Sequence, residues 1–542
     1  MNEIGSAGRR RASMSQAAKQ GAVTQKQGPG LLQCFGILDR TAGLLTVANG
    51  FLLLLIIVNV IRTLRHAMWR DEMQAFQIAV NSPSIWDLFG YLRYEAHPGL
   101  WYSLVWLVTR FTSDPLAMQI LNVAIAIGVW IIIYRWSPFG TAEKILLILS
   151  YFLFWEYFVI SRNYAIVALI GFTFVALRYQ RPQQNFIPWV LLGLLANAQV
   201  YGAIWSVALA GTFIVRRRSL APAFVAGGVA YAILLTFAFI TAMPAPTWDV
   251  SQHIRPDFAR FPYLMSIPLA AFVPINPSWV LEAFRFVAHP ASAPIPHFWE
   301  PSPFQDFFAF AHGKAAVMFI LVAPIAICWL ISRSSLRTLE FAITYLGILL
   351  FSYLFKFPGS SRHNGVIFLA LIACAWLSLF WRYRRSSLWL FRTLLTAGAL
   401  GGILTLSSEL LPFSEARNTA EWIKKNNFTD TFLIGSKDWI LVPVTGYLGR
   451  PIFYLECECL GSFVDNTKQR RATLTSTELR ERLLRSFEMF NRTGGILILS
   501  APMTSEDARS LAPMLFLTLI KTFAGTSPAG ENYWVYRVSG PP

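Results

Sequence analysis

The sequence predicts an α-helical membrane protein with many spans, followed by a small α/β domain. Of its 542 residues, 55% are hydrophobic and only 14% are charged, whereas soluble proteins carry about a quarter charged residues. Apolar runs of about 17–20 residues follow one another along most of the chain, and this is the length that a helix needs to cross a bilayer. The net charge of +17 comes largely from basic residues near the ends of these runs, which indicates membrane topology rather than nucleic-acid binding.

Eleven apolar segments are interpreted as full spans of a membrane domain covering residues 43–407. They lie at roughly 43–62, 116–134, 144–160, 163–178, 185–198, 200–215, 221–242, 313–332, 338–355, 364–381 and 387–407. The segment 98–112 has 15 residues, too few for an upright span of about 30 Å, and predicts a half-inserted or tilted helix. Residues 1–42 begin with a polar, basic stretch and predict a disordered cytoplasmic tail.

Basic residues at the short loops predict the orientation of the spans. With a cytoplasmic N-terminus, every short inner loop obeys the positive-inside bias. The residues that carry this bias are Arg135, Lys144, Arg178, Arg181, Arg216, Arg217, Arg218, Arg333, Arg337, Arg382, Arg384 and Arg385. Residues 64–115, 161–163, 243–312, 356–363 and 408–542 then face outward, with all seven histidines on that side or at its boundary. We therefore predict a multi-pass protein of a bacterial inner membrane with a periplasmic or extracellular C-terminal domain.

The C-terminal region, residues 408–542, alternates helical and strand-like patterns, which is typical of a small α/β domain. Helices are predicted at 415–426 and 475–490, and strands at 430–435, 451–456, 495–500 and 533–538. No glycine-rich phosphate fingerprint opens any of these helices, so no nucleotide site is predicted. Cys457 and Cys459 would lie too far apart on a strand for an unstrained disulfide. They are interpreted as a buried structural pair, with a metal or redox site as the alternative.

The first outer loop, residues 64–98, is the most charged segment before residue 245 and lies between two apolar runs. Asp71 and Glu72 open a helical pattern there, and Glu95 and His97 follow where the loop ends. The aromatic residues of the loop suit two interfacial helices whose apolar sides reach the lipid headgroups. Carboxylates in a first helical turn also stabilise the helix dipole, so capping by Asp71 and Glu72 is the alternative to catalysis.

Four short motifs give the chain a family resemblance. They are the Asp71-Glu72 pair, His97-Pro98 at the next helix, Arg162-Asn163-Tyr164 at the start of a span, and Arg362-His363 at the start of a late span. This pattern resembles the GT-C glycosyltransferases, and is most similar to the branch with the protein O-mannosyltransferases and the lipid A aminoarabinose transferases. The resemblance implies transfer of a sugar from a polyprenyl-phosphate carrier to an extracytoplasmic acceptor, which would be a glycolipid, an envelope polysaccharide or a protein.

The resemblance also implies roles for these residues. The aspartate of the Asp-Glu pair, Asp71, would be the general base of an inverting transfer. Glu72 would orient the acceptor or hold Asp71 in place. Basic groups would bind the phosphate, because a lipid phosphate leaves as a stable anion and needs cations more than a proton donor. The candidates for this binding, with Tyr164 beside them in the motif, are Arg162, Lys356, Arg362 and His363. Snorkelling of these basic side chains from helix ends is the alternative.

Further candidates come from individual polar positions. Glu95 and His97 would position the phosphate or ligate a divalent metal ion, although no metal-ligand spacing is present. Glu156 lies near the outer end of a span, and its spacing predicts that it shares a helix face with Asn163 and pairs with a cavity arginine or the acceptor. Contact with lipid headgroups is the alternative for Glu156. No cofactor is firmly predicted.

The long loop 243–312 is interpreted as a lid that contacts the sugar. Its candidate contacts are Trp248, Asp249, His253, Arg255 and Trp299. Two rival functions stay open. An envelope-polysaccharide polymerase or ligase would also be multi-span, but would depend on late outer loops rather than an acidic first loop. A lipid or sugar transporter would more often show repeated halves and helices broken at mid-span, and the ionisable residues here collect at one face instead.

Overall fold

We describe the protein from a computed structural model. It defines residues 47–217, 221–247, 267–275, 284–285, 288–289, 314–354, 361–378, 384–466, 470–471, 473–512, 514–524 and 530–540. The phosphate candidate Lys356 lies outside these residues, as does the predicted N-terminal tail. The candidate sugar contacts of the long loop, His253 among them, also lie outside them.

The membrane domain is helical, as predicted. Its helices are α1 (Val47–Arg65), α2 (Arg70–Val80), α3 (Ile85–Leu92), α4 (Leu100–Thr109), α5 (Leu116–Trp136), α6 (Thr141–Ile148), α7 (Tyr164–Gln180), α8 (Ile187–Ala198), α9 (Val200–Arg217), α10 (Pro222–Ala242), α11 (Lys314–Ser332), α12 (Ser335–Leu354), α13 (Ser361–Leu377) and α14 (Arg385–Leu404). Five helical segments in the described part of the chain are long and apolar enough to cross a membrane; they begin at Val47, Leu116, Pro222, Ser335 and Arg385. The predicted fold class, a mostly helical chain with several apolar helices, is confirmed, whereas the number of eleven full spans stays a prediction.

The predicted span 144–160 is wrong as a continuous helix. Helix α6 ends at Ile148, Ser150 is extended, and a short π-helix runs from Tyr151 to Glu156 before an irregular stretch. Apolar composition could not reveal the break, because residues 150–168 are all buried in protein rather than facing lipid. Irregular backbone at membrane depth is tolerated only where its polar groups find partners within the protein.

Side chains from neighbouring helices supply those partners. Asn59 Nδ2 donates to the Phe154 carbonyl oxygen at 2.7 Å, and Trp130 Nε1 donates to the Leu153 carbonyl oxygen at 3.0 Å. Asn122 Nδ2 donates to the Phe158 carbonyl oxygen at 2.8 Å. The broken segment is thereby held between α1 and α5, and it carries the chain to Ser161 and Arg162.

Helix α4 has 10 residues and is therefore about 15 Å long at 1.5 Å per residue. This is half of a bilayer core of about 30 Å, in agreement with the prediction that 98–112 does not cross upright. The two central helices of the domain are α7 and α13. Residues 362–376 of α13 are all buried, as are most residues of α7. Helix α7 begins two residues after Arg162, and α13 begins one residue before Arg362.

The C-terminal domain is built on one six-stranded sheet with the strand order β3-β2-β1-β4-β6-β5. Its strands are β1 (Leu433–Ser436), β2 (Ile452–Tyr454), β3 (Cys459–Gly461), β4 (Gly494–Leu499), β5 (Phe516–Phe523) and β6 (Tyr533–Ser539). Strands β2, β1 and β4 are parallel, and the remaining pairs are antiparallel. Its helices are α15 (Ala416–Lys425), α16 (Asp438–Leu448), α17 (Ser476–Met489) and α18 (Ser505–Leu511). All four predicted strands and both predicted helices are found, whereas β3, β5, α16 and α18 were missed.

The interpretation of the two nearby cysteines is wrong. Cys457 and Cys459 form a disulfide, with their Cα atoms 5.2 Å apart, and neither residue is fully buried. The prediction assumed a continuous strand, but Glu458 between them has a φ of 52° and turns the chain. The turn brings the two side chains within bonding range.

Candidate active site

The site is built around Asp71, the second residue of α2. Its Oδ2 atom accepts a hydrogen bond from Arg362 Nη2 at 2.6 Å, and its side chain is 29% exposed. The backbone carbonyl oxygen of Asp71 accepts a hydrogen bond from Arg162 Nη1. The structure thus brings together three predicted site residues from three distant parts of the sequence, at the starts of α2, α7 and α13.

Glu72 points away from Asp71 into the protein and is fully buried. Its Oε2 atom lies 2.7 Å from His66 Nε2, and its Oε1 atom accepts the backbone N–H of Ser161 at 2.6 Å. Oε2 also accepts the Trp69 backbone N–H at 3.3 Å, which ties down the start of α2. Both carboxylate oxygens of Glu72 are therefore bound within the protein. These contacts suit the predicted role of holding Asp71 in place better than that of orienting the sugar acceptor.

The charge state of Asp71 follows from its cations. Burial alone would raise its pKa, but Arg362, Arg162 and Arg70 together hold the pKa of this carboxyl below its ordinary value. Asp71 is therefore ionised at neutral pH, as a general base must be. The guanidinium of Arg362 also lies over the Trp69 ring, 4.8 Å from its centroid, so the arginine is fixed by an aromatic face as well as by the carboxylate.

Glu95 and His97 lie close enough to the arginines and Asp71 to interact electrostatically. Burial raises the pKa of Glu95 to about 7, and its Oε1 atom accepts a hydrogen bond from Gln74 Nε2 at 2.8 Å. Burial and the nearby Arg162 lower the pKa of His97 to about 4. His97 is therefore neutral at pH 7 and is suited to hydrogen bonding rather than to charge pairing with a phosphate.

Among the described residues, no group of three or more His, Cys, Asp or Glu side chains lies together as a metal site.

Replacing Glu95 with Gln should change how the stability of the protein depends on pH. The folded pKa of about 7 lies above the ordinary value of 4.5, so the folded state resists ionisation of this group. The wild-type protein should therefore begin to lose folding stability as pH rises past 4.5, and this loss should be complete above about pH 7. The melting temperature of E95Q, relative to wild type in the same detergent, should therefore rise between pH 4.5 and pH 7 and then level off. A difference that is constant across this range would contradict the raised pKa.

Aromatic rings surround the starts of α7 and α13. Tyr164 stacks on Tyr157 with ring centroids 5.5 Å apart, and it meets His363 edge-on at 5.4 Å. His363 also contacts the ring of Tyr201 at 5.6 Å. Tyr164 and His363, both predicted site residues, are thus buried and pack against each other, next in sequence to Asn163 and Arg362.

Glu156 does not share a helix face with Asn163, contrary to prediction. The π-helix ends at Glu156, and α7 begins only at Tyr164, so no continuous helix joins the two residues. The Glu156 carboxylate is buried and accepts a hydrogen bond from the Tyr151 hydroxyl at 2.7 Å. The helical spacing that suggested a shared face does not exist in this segment.

The C-terminal domain contributes contacts that sequence reasoning missed. Glu531 accepts the backbone N–H of Arg70 at 2.9 Å, and the Tyr447 hydroxyl accepts the backbone N–H of Met68 at 2.8 Å. Gln74 exchanges two hydrogen bonds with the backbone of Val464, at 2.8 Å and 2.9 Å. No short-range pattern predicts these pairs, since their members are separated by more than 370 residues.

No protein-family model matches this chain, and no curated protein matches it. Among solved structures it is similar to ArnT from Cupriavidus metallidurans, in two crystal structures. The crystal structure of ArnT bound to undecaprenyl phosphate is 14% identical, with a TM-score of 0.39, over 91% of this chain and 100% of that chain. The apo crystal structure is 14% identical, with a TM-score of 0.42, over 92% and 100%.

Proposed function

We propose that this chain is an inverting glycosyltransferase that moves a sugar from a polyprenyl-phosphate donor to an acceptor outside the cytoplasm. The observation that carries the proposal is the convergence of Asp71 with Arg162 and Arg362 at the starts of three helices. Attack by a hydroxyl on an anomeric carbon needs one base to take the proton of the hydroxyl. Departure of a lipid phosphate needs fixed positive charge near the leaving oxygen. An ionised carboxylate bonded to Arg362, with the guanidinium of Arg162 on the backbone carbonyl of the same residue, suits both needs.

The arginines also suit a phosphate ligand. Arg162 is 8% exposed, and its Nε atom is buried without a hydrogen-bond partner among the described residues. Buried polar groups usually have partners, so this donor is available to an oxygen ligand. Arg362 holds the Asp71 carboxylate through a single close contact. It can exchange part of that contact for phosphate oxygens, because a guanidinium presents five donors in a planar fork.

An outward position of the site is supported by charge and by cysteine chemistry. Arg178, Arg216, Arg217 and Arg337 lie close enough to interact at one end of the helices, and such clusters favour the cytoplasmic side. Asp71 lies with the opposite helix ends, at the starts of α7 and α13. The Cys457–Cys459 disulfide in the C-terminal domain is typical of oxidising compartments such as the periplasm.

The test is a transfer assay on the purified protein in nanodiscs. Undecaprenyl-phosphate pentoses and hexoses are offered with the extracted envelope glycolipids as acceptors, next to matched diphosphate-linked sugars. We expect release of undecaprenyl phosphate together with a glycosylated product. Release of undecaprenyl diphosphate instead would favour a polymerase or ligase. Movement of the donor lipid across a bilayer with no product formed would favour a transporter.

A further inference from the structure

Glu531 lies in the C-terminal domain but reaches into the start of α2. The residue precedes β6 and is fully buried, and its backbone carbonyl oxygen accepts the N–H of Glu415 at 3.1 Å. Its carboxylate Oε1 accepts the backbone N–H of Arg70 at 2.9 Å, across 461 residues of sequence. The main chain of Glu531 is thus fixed to its own domain, and its side chain, which also forms a hydrogen bond with the Ser414 side chain, holds the helix that carries Asp71.

The hydrogen bond satisfies a donor that α2 cannot satisfy itself. The first backbone N–H groups of a helix have no partner within the helix, and that of Arg70 donates to Glu531 across the domain boundary. The Arg70 guanidinium lies 3.8 Å from the same oxygen, and 4.5 Å from the ring centroid of Trp439, which also belongs to the C-terminal domain. The C-terminal domain therefore holds both the backbone and the side chain of the residue directly before Asp71.

Backbone groups before and after Asp71 are held by other parts of the protein. Glu531 holds the N–H of Arg70, and Arg162 holds the carbonyl oxygen of Asp71. Glu72 is anchored in turn to His66 and the Ser161 backbone. With the backbone held on each side, the Asp71 side chain keeps one orientation toward Arg362, and a base held in one orientation avoids the loss in rate that a displacement of about 1 Å causes.

We propose that Glu531 is a positioning residue for Asp71, so that the C-terminal domain completes the active site rather than only covering it. This inference rests on the proposed function of Asp71. Glu531 acts through the accepted hydrogen bond, and an isosteric amide oxygen can accept the same bond. The carboxylate of Glu531 makes no contact with substrate in this role.

The test compares E531A and E531Q in the full-length protein. The donor is the undecaprenyl-phosphate sugar that the wild-type protein turns over in the transfer assay described above. We expect kcat of E531A to fall by about 10- to 100-fold with KM for the donor nearly unchanged, the loss expected for a misplaced catalytic group. E531Q should stay within about threefold of wild type. E456A is the matched control, because Glu456 is also a buried carboxylate of this domain, and its side-chain partners among the described residues, Ser436, Lys437 and Asp438, all lie within the domain. It should lower the melting temperature without lowering kcat.

Hydrogen exchange gives a readout that does not need turnover. The backbone amides of residues 70–72 should exchange faster in E531A than in wild type or E456A. A wild-type kcat in E531A, equal losses in E531A and E531Q, or unchanged exchange at residues 70–72 would each overturn the proposal. If E531A does not fold, E531D replaces it, because the shorter side chain cannot span to the Arg70 N–H. Normal turnover in D71N removes the proposed function itself, whereas an inactive D71N with a normal E531A removes only the role of Glu531.

Discussion

Replacing Asp71 with Asn should abolish sugar transfer while the protein still folds and retains its lipid donor. The amide is the same size and can still accept from Arg362 Nη2, which lies 2.6 Å from the present carboxylate, but it cannot take a proton from the acceptor hydroxyl. Loss of a general base costs about 10²- to 10⁴-fold in rate. The measurement is kcat in nanodiscs, together with mass spectrometry of the polyprenyl lipid that co-purifies.

Asp87→Asn is the control for D71N. Asp87 belongs to the same outer loop, but it is exposed and serves as the capping partner of Ser84 at the start of α3. We expect D87N to lower stability slightly and to leave kcat near wild type. Turnover of D71N close to that of D87N would take the base role away from Asp71.

Arg362→Met should cost at least about 10²-fold in kcat/KM, the size of effect seen when one stabilising donor is removed from a developing anion. The substitution also leaves Asp71 without the cation that lowers its pKa most. Activity needs the ionised carboxylate, so the acidic limb of the pH profile of kcat/KM should move to higher pH. The same change should reduce retention of undecaprenyl phosphate, added alone to the purified protein.

Arg485→Met is the control variant for R362M, because it makes the same substitution at an arginine outside the candidate site. Arg485 pairs with Glu458 at 3.1 Å in the C-terminal domain, and its side chain is 54% exposed, so its contribution to stability is small. R485M should keep the wild-type pH profile and lipid retention. An R362M profile that overlays that of R485M would mean that Arg362 binds neither the carboxylate nor the phosphate in the working enzyme.

The helices could be predicted from sequence because the bilayer imposes a simple rule. A backbone in hydrocarbon must satisfy its own hydrogen bonds, so apolar length marks each helix. The ends of α5 and α10, for example, fall within two residues of the predicted spans 116–134 and 221–242. The rule fails between Leu149 and Asn163, since a buried apolar run and a lipid-facing one have the same composition. It also could not exclude a turn at Glu458, which permits the disulfide.

The candidate site divides in a similar way. Asp71, Arg162 and Arg362 were identified from short motifs, and the structure places them in contact, whereas their catalytic roles stay predictions. Glu531 carries no motif and lies in a different domain. Its contact with Arg70 depends on how the C-terminal domain docks against α2, and that docking is decided by packing over hundreds of residues rather than by local pattern.

The break after α6 has a consequence for how the protein responds to bilayers of different thickness. Lipid-facing helices such as α1 and α10 respond to a thicker or thinner bilayer by tilting. The stretch from Ser150 to Arg162 touches protein on every side and is fastened by Asn59, Asn122 and Trp130. We expect these lipid-facing helices to adjust their tilt to the lipid chain length, while the distance between Ser161 and Glu72 stays unchanged. The geometry of the candidate site should therefore not depend on the thickness of the bilayer.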